Sequence, residues 1–483
     1  MGAEIRSDLP ENHGLSSRHL LHFFDRIEEL GLELNSFMLL QDGQATAQFW
    51  RKPYRKDCQQ LLFSLSKSFT SIAVGIAWDS GYLDLQDKVI SFFSDQLPDH
   101  PSLHLAQMTV HHLLSMNTGH NDNIYSAVAN ETDWVKAFLS LEVQHEPGSY
   151  YRYSTHATYM LSAIIEKVTG ESLVDFLMPR LFEPLGIPKP SWETCPMGIT
   201  AGGMGLSLST EGIAKFGQML LDKGVYEGRR IVSESYIDLA TQEQSDNRRG
   251  ESRIDTSQGY GYQFILCRRG CFRGDGSFGQ LCFVAPNERI VIAATASFTS
   301  MKQLQTLLDL IYEHIMDPID PDHRPSLDDN SELQQRLANM TCPVPLPEPT
   351  PDDIPNRGSA CYIMDENPYH LQELNLFMKE EQLEVQLIYE NRDNTMLGFD
   401  FTKPVSIQDV FTKDLSLHQQ EAVTYAEWQD KNTLKLTLFY IETPYVVTYI
   451  IKFSNPSIEL QFRINVSLNI EDYTITGKLN SYR

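Results

Sequence analysis

The chain has 483 residues, too many for one ordinary hydrophobic core, so two or more domains are expected. It carries 39 Lys and Arg against 64 Asp and Glu, a formal net charge of -25, which repels phosphate backbones and anionic lipid and argues against a nucleic-acid partner. With 41% hydrophobic and 21% charged residues the balance is that of a soluble globular protein, and no apolar run approaches the ~18 residues that would span a bilayer.

The first residues, MGAEIRSDLPENHG, have no apolar stretch after a basic start, so no secretory signal is read there. Seven cysteines (58, 195, 267, 271, 282, 342 and 361) form an odd, scattered set with no CxxC and no zinc spacing. They fit reduced thiols and a cytoplasmic location better than a disulfide framework. No metal or organic cofactor is expected.

In chain order, LSSRHLLHFFDRIEELG reads as an amphipathic helix and SFMLLQDGQATAQFW as a hairpin turning at Asp42-Gly43. A long helical middle runs to about residue 245. Strands return in GYGYQFILC, GQLCFVAP and RIVIAATAS, and SMKQLQTLLDLIYEHI reads as a final helix. Helix, strands, helical insert, strands, helix is an α+β order. Residues 319–356, rich in proline and acid, read as an extended linker with a short helix in SELQQRLANM. Beyond it the pattern has period two: Leu374, Leu376 and Met378; Leu383, Val385 and Leu387; Leu434, Leu436 and Leu438; Ile458, Leu460, Phe462, Ile464 and Val466. The expected organisation is a first domain over 1–318, the linker, and an all-β barrel or sandwich over 357–483.

Within FSLSKSFTSIAVGIAWDSG the only charge between Ser64 and Asp79 is Lys67. Apolar residues occupy nearly every side of this helix, so Lys67 is expected to be buried, with its pKa depressed toward the neutral amine. Residues i and i+3 share a helix face, which brings the lysine within reach of the Ser64 hydroxyl. Backbone N–H groups at the helix start point toward any developing oxyanion. Nucleophile, base and positive dipole then meet at one helix end. Read without function, Ser64 is a helix cap and Lys67 a solvated side chain.

LLFSLSKSFTSIAVGIAWDSGYLDLQDKVISFF resembles the active-serine region of the serine β-lactamase and penicillin-binding-protein superfamily, in its class C β-lactamase and family VIII esterase branch. The likeness continues through MTVHHLLSMNTGH, EPGSYYRYSTHATYMLSAIIEKVTGESL, TAGGMGLSLSTEGIAKFGQMLLDKG and FRGDGSFGQLCFVAPNERIVIAATAS, covering about residues 15 to 318 in the family's order. It implies a β-lactamase-like antiparallel sheet flanked by helices, with Ser64 as nucleophile, Lys67 as its base and Tyr153 as general base or relay. A nearby lysine ammonium would favour the Tyr153 phenolate. Thr155 stands where the branch usually has asparagine, so support of Lys67 or recognition of a substrate amide would differ. The third motif, K-T-G or H-x-G in the family, aligns with Gly274-Asp275-Gly276-Ser277. The resemblance makes Gly276 a point of close backbone approach to substrate and the Ser277 N–H a partner of the Ser64 N–H in an oxyanion hole. The lysine or histidine that helps hold a substrate carboxylate is missing. Gly274 cannot replace it, and Asp275 would repel an anion if it faced the pocket.

Other matches weigh less. Ser245-Asp246-Asn247 sits in a polar run read as a loop, and Tyr150 and Tyr151 fit the tyrosine motif worse by spacing. His111 and His112 need no metal on a helix, and His120 and His156 read as core or surface positions rather than pocket walls. The expected function is a serine hydrolase acting on a small uncharged or cationic ester or amide through a Ser64 acyl-enzyme, carboxylesterase-like first. D-amino-acid peptidase or amidase and acyltransferase activity follow, and β-lactamase comes last. The rival class is a non-catalytic binding protein on the same fold; the acidic linker also permits a homo-oligomer through the C-terminal domain.

Overall fold

The computed structural model describes residues 4–249, 251–320, 327–345 and 358–482. Parts of the expected linker, 321–326 and 346–357, therefore lie outside the described residues. The chain divides into two compact units, Met1–Phe49 with Gln59–Met340, and Trp50–Cys58 with Thr341–Arg483. Among the described residues no helix is long and apolar enough to cross a membrane.

The first unit is built on a six-stranded sheet of β1 (Leu34–Gln41), β2 (Gln44–Trp50), β3 (Ile265–Leu266), β4 (Phe272–Gly276), β5 (Gln280–Ala285) and β6 (Ile290–Ala296), in the order β2-β1-β6-β5-β4-β3. β1 and β2 turn through Asp42 and Gly43, whose φ values of 48° and 80° are the left-handed pair that a two-residue hairpin of matching twist requires. The central strands are apolar on both faces because helices cover both. One face packs on α1 (Ser17–Glu29), where Leu20, Phe23, Phe24 and Ile27 meet Phe37, Phe283 and Ile292 in one buried cluster. Phe37 touches both helix phenylalanines, with ring centroids 5.6 Å away in each case. The opposite face receives a helix over Thr210–Leu221, whose Gly217 comes so close that an added Cβ would lie 2.5 Å from Val291 Cγ1.

Between β2 and β3 the chain forms the helical region, which includes α2 (Ser66–Asp79) and α3 (Thr155–Thr169). α2 is buried at every residue from Ser66 to Ala77. Its hydroxyls are satisfied locally: Ser68 donates to the Gln263 carbonyl at 2.9 Å and Thr70 to the Gly202 carbonyl at 2.8 Å. The GYGYQFILC segment keeps only two residues, Ile265–Leu266, in strand form. The helix expected in SELQQRLANM spans Leu327–Ala338 and belongs to the first unit, with Leu333 and Leu337 in the α1 cluster and Arg336 paired to Glu28 at 3.1 Å. The first unit thus runs past residue 318 to Met340.

The second unit is one ten-stranded antiparallel sheet that curls into a near-closed barrel. Its strands are β7 (Ser359–Met364), β8 (Leu371–Lys379), β9 (Gln382–Tyr389), β10 (Thr395–Asp400), β11 (Val405–Thr412), β12 (Leu417–Asp430), β13 (Thr433–Tyr440), β14 (Val446–Ser454), β15 (Ser457–Ile464) and β16 (Tyr473–Tyr482). The order is β10-β9-β8-β7-β16-β15-β14-β13-β12-β11. Thr424 on β12 bridges the gap between the two end strands, its hydroxyl meeting the Gly398 carbonyl of β10 at 2.7 Å and the Val405 carbonyl of β11 at 3.2 Å. The period-two residues Leu383, Val385 and Leu387 are buried, as are Leu434, Leu436 and Leu438. Residues 50–58 join this unit rather than the first: Tyr54 and Cys58 pack with Val423, Phe439 and Ile441, and Arg55 grips Glu421 through two bonds of 2.9 and 2.7 Å.

His120 and His156 are core residues of the helical region. His120 packs edge-to-face on Phe138 at 5.2 Å and His156 on Trp134 at 4.9 Å. Burial pushes His120 down to about 4, and burial with the nearby Lys67 charge pushes His156 down to about 3. In an unfolded chain both would titrate near about 6.5. Below that pH the unfolded state binds more protons, so the stability they contribute is present above pH ~6.5 and is lost as pH falls toward the folded values. The melting temperature of the wild type should therefore fall between pH 7 and pH 4.5, and that of His120→Gln should fall less; equal slopes would refute the assignment. Phe37→Ala should cost about 3–5 kcal/mol in the urea unfolding of the first unit, because the sheet and α1 cannot both collapse into the space left.

Candidate active site

Ser64 lies in a tight turn, Phe63–Leu65, that leads straight into α2. Phe63 holds a left-handed φ of 49°, which is costly for an aromatic residue and persists only where the surroundings impose it. Ser66 pins the turn, donating to the Phe63 carbonyl at 2.6 Å while accepting from the Leu206 N–H at 3.2 Å. One turn into the helix Lys67 is only 2% exposed. Its Nζ reaches Ser64 Oγ at 3.0 Å, Thr155 Oγ1 at 3.2 Å and the Gly203 carbonyl at 2.6 Å. Ser154 caps α3, accepting from the Ala157 N–H at 3.2 Å, so Thr155 takes the first helical position and its hydroxyl turns to the lysine. Gly203 reaches the lysine only because it has no side chain: a Cβ there would lie 2.6 Å from the Thr155 carbonyl.

Tyr153 completes the group. Lys67 Nζ stands over its ring, 4.9 Å from the centre. The ring is 39% exposed while the hydroxyl end is crowded by protein. Burial pushes the phenol well above its ordinary value, the hydrogen bond with Ser64 opposes this, and the Asp275 charge adds to the rise. Desolvation thus acts against the phenolate that the resemblance implied.

β4 runs beside the Ser64 turn, and two glycines allow it. A Cβ on Gly276 would sit 2.1 Å from the Leu62 carbonyl, and one on Gly274 would sit 2.3 Å from Ser68 Oγ. Gly276 thus approaches the residue that leads into the Ser64 turn. Ser277 follows, then Phe278 with φ 64°, and the rings of Phe63 and Phe278 meet edge-to-face at 5.2 Å. Both serines thus adjoin strained phenylalanines that lock each other. Two residues earlier than Asp275 on the same face, the buried Arg273 donates to Asp275 at 2.8 Å. Its other donors go to the Asp255 carbonyl, Cys267 Sγ and Thr256 Oγ1 at 2.5, 3.0 and 3.0 Å. This arginine is committed to the wall and offers little to an anion.

Ser64, Tyr153, Asp275, Gly276 and Ser277 line one cavity of about 340 Å³. Thr155 and Gly274 are not in its wall: the first supports Lys67, the second packs on α2. The sequence reading missed the far wall, formed by Tyr151, Asn247, Arg249, Glu251 and Arg253. Only the QEQSDNRRGES run pointed there, and it carries no periodic signal. Asn247 is held by the Thr256 carbonyl and the Gly259 N–H, at 2.7 and 2.9 Å, and Arg253 by Glu251 at 2.7 Å. Ser245 faces away, donating to the Ser115 carbonyl at 2.5 Å. A neutral lysine amine at this distance can take the serine proton.

Comparison with known proteins places the chain in a group. The 6-aminohexanoate-dimer hydrolase of Paenarthrobacter ureafaciens is 24% identical over 230 residues, 44% of this chain and 58% of that one. The D-aminopeptidase of Brucella anthropi is 27% identical over 169 residues, 31% of each chain. Both matches thus take in less than two thirds of the relative. The octameric penicillin-binding protein homologue from Pyrococcus abyssi shares the fold, with a TM-score of 0.52 at 16% identity over 95% of this chain and 99% of that one. The family profile described as Beta-lactamase matches residues 35–314. With more than half of its length matched by that profile, this chain belongs to the Beta-lactamase family.

Proposed function

We propose that the protein is a serine hydrolase that cleaves a small ester or amide through an acyl-enzyme on Ser64. The observation that carries this reading is Lys67 Nζ at 3.0 Å from Ser64 Oγ, buried at the edge of a cavity that Ser64 lines. In the proposed cycle neutral Lys67 accepts the Ser64 proton as Oγ attacks the carbonyl. The Ser64 and Ser277 N–H groups receive the oxyanion, a contribution worth roughly 3–4 kcal/mol per donor in other hydrolases. Tyr153, kept protonated by burial and bonded to Ser64, is suited to hand a proton to the leaving group. Water then releases the acyl group by the reverse relay.

An ester is the first choice of substrate. Asp275 stands where the family places a cation and is paired with Arg273, so this strand offers no free positive charge to a β-lactam or D-alanyl carboxylate, and the remaining cation of the lining, Arg249, lies on the far wall. An amidase or D-amino-acid peptidase is the second reading, favoured by the relatives named as a 6-aminohexanoate-dimer hydrolase and a D-aminopeptidase. Acyl transfer would use the same intermediate with another acceptor. The octameric homologue favours a homo-oligomer.

Intact mass after incubation with a fluorophosphonate probe tests the nucleophile. Wild type should gain one adduct, and Ser64→Ala none; a folded wild type without adduct would favour the non-catalytic reading. Lys67→Met should slow labelling by about 10²-fold or more, since it removes the base and leaves the serine in place. Gly276→Ala should slow labelling at least about tenfold, because the new methyl must displace the Leu62 carbonyl beside the nucleophile. Labelling of Gly276→Ala at the wild-type rate would show that the approach of the strand does not shape the site.

A further inference from the structure

We propose that the second unit binds a small organic ammonium ion in a cavity at one end of its barrel. The inference concerns a site separate from the Ser64 cavity and does not rest on the hydrolase reading.

Small barrels either fill their interior with side chains or hold one small ligand. Here the interior is filled along most of its length by the aliphatic period-two residues, but one end keeps a cavity of about 370 Å³. Its walls are aromatic and come from five different strands. Tyr389 ends β9, Tyr440 ends β13, Tyr449 lies on β14, Phe462 on β15 and Tyr473 on β16. These rings are fixed by one another: Phe462 stacks on Tyr473 at 4.7 Å, and Tyr449 meets Phe462 at 5.5 Å. A wall of mutually packed rings does not collapse into the space it surrounds.

Into this box β11 delivers a carboxylate. Asp409 accepts from the Tyr440 hydroxyl at 2.6 Å and lines the cavity. Burial raises its carboxyl above the ordinary value, with the Tyr440 bond and the Arg392 charge opposing. A carboxylate held among tyrosine faces is short of positive charge, and a cation placed there gains from both the charge and the ring quadrupoles. The chain already uses the walls in this way. The Arg392 guanidinium, on the exposed turn between β9 and β10, lies 3.5 Å from the centre of the Tyr389 ring.

The remaining charges decide the sign of the ligand. Glu471 joins Asp409 in the lining, against Arg392 alone, which leaves a net negative cavity. An anion would meet two carboxylates. A bare metal ion would find too few oxygen ligands among aromatic faces. An ammonium with an apolar body satisfies the carboxylate and the rings together.

Choline and its uncharged isostere 3,3-dimethylbutan-1-ol separate this proposal from simple apolar filling. Titrations of the full chain in the Ser64→Ala background, read by calorimetry and tyrosine fluorescence, should show one saturable choline site. The isostere should bind about tenfold more weakly or worse. Asp409→Asn should weaken choline at least about tenfold, and Arg392→Ala, which removes a competing positive charge from an exposed turn, should tighten it. The Arg392 result does not depend on any buried substitution being tolerated. Absence of choline binding to the folded protein, equal binding of the isostere, or weaker binding by Arg392→Ala would each overturn the proposal.

Discussion

The first unit depends on the contact between a strand and a turn. β4 runs against the residues that introduce α2 so closely that Gly276 has room for no side chain beside the Leu62 carbonyl. Everything at the site follows from this approach. It brings the Ser277 N–H beside the cavity that Ser64 lines, and it sets Phe63 against Phe278. Each of these phenylalanines carries a left-handed backbone whose cost is of the order of 1–3 kcal/mol. Their edge-to-face contact at 5.2 Å is one compensation, and the Ser66 bonds to Phe63 and Leu206 are another. A strained turn held from both sides keeps one backbone shape before any substrate arrives, and the proposed oxyanion site would depend on that rigidity.

The partners of Lys67 explain how a buried amine can work in both protonation states. As an ammonium it has three hydrogens for three acceptors: Ser64 Oγ, Thr155 Oγ1 and the Gly203 carbonyl. As a neutral amine it keeps two hydrogens and gains a lone pair. The carbonyl can only accept and the threonine can accept as before, so the lone pair falls to the Ser64 hydroxyl, which can donate. In the proposed cycle the proton would move along this 3.0 Å line. Threonine in place of the family's asparagine suits this arrangement, since its single oxygen serves the lysine and, outside the cavity wall, nothing asks it to recognise substrate.

How much of this was legible in the sequence varied with the range of the interaction. The Asp42-Gly43 hairpin, the α2 helix and the alternating barrel strands are local patterns of period two or 3.6, and they appear where those periods place them. The Ser64–Lys67 contact is also local, at i and i+3. By contrast Gly203, the Arg273–Asp275 pair and the far wall of the cavity are joined only by the fold. Asp275 reads in the sequence as a charge that would repel an anion if it faced the pocket, and nothing local says that a strand residue two positions away pairs with it. Residues 50–58 carry no periodicity and sit between two segments of the first unit, so their membership of the second unit, fixed by Arg55 on Glu421 and by Tyr54 and Cys58 against β12 and β13 residues, had no signal in the chain.

The same pairing of charges bears on what the proposed hydrolase would select. A chain of net charge -25 already opposes the arrival of anions, though at physiological salt the effect fades within about 8 Å of each exposed charge. Selection must therefore be made inside the cavity. There Arg253 is paired with Glu251 and Arg273 with Asp275, and Arg249 adds one further positive charge to the lining. Breaking either pair to serve an anionic substrate would strand the opposite charge in a poorly hydrated wall, at a cost that recognition would have to exceed. A neutral acyl group makes no such demand. In the proposed reaction it would need only the aromatic faces of Tyr151 and Tyr153 beside Ser64, and this supports the choice of an uncharged ester over a carboxylate substrate.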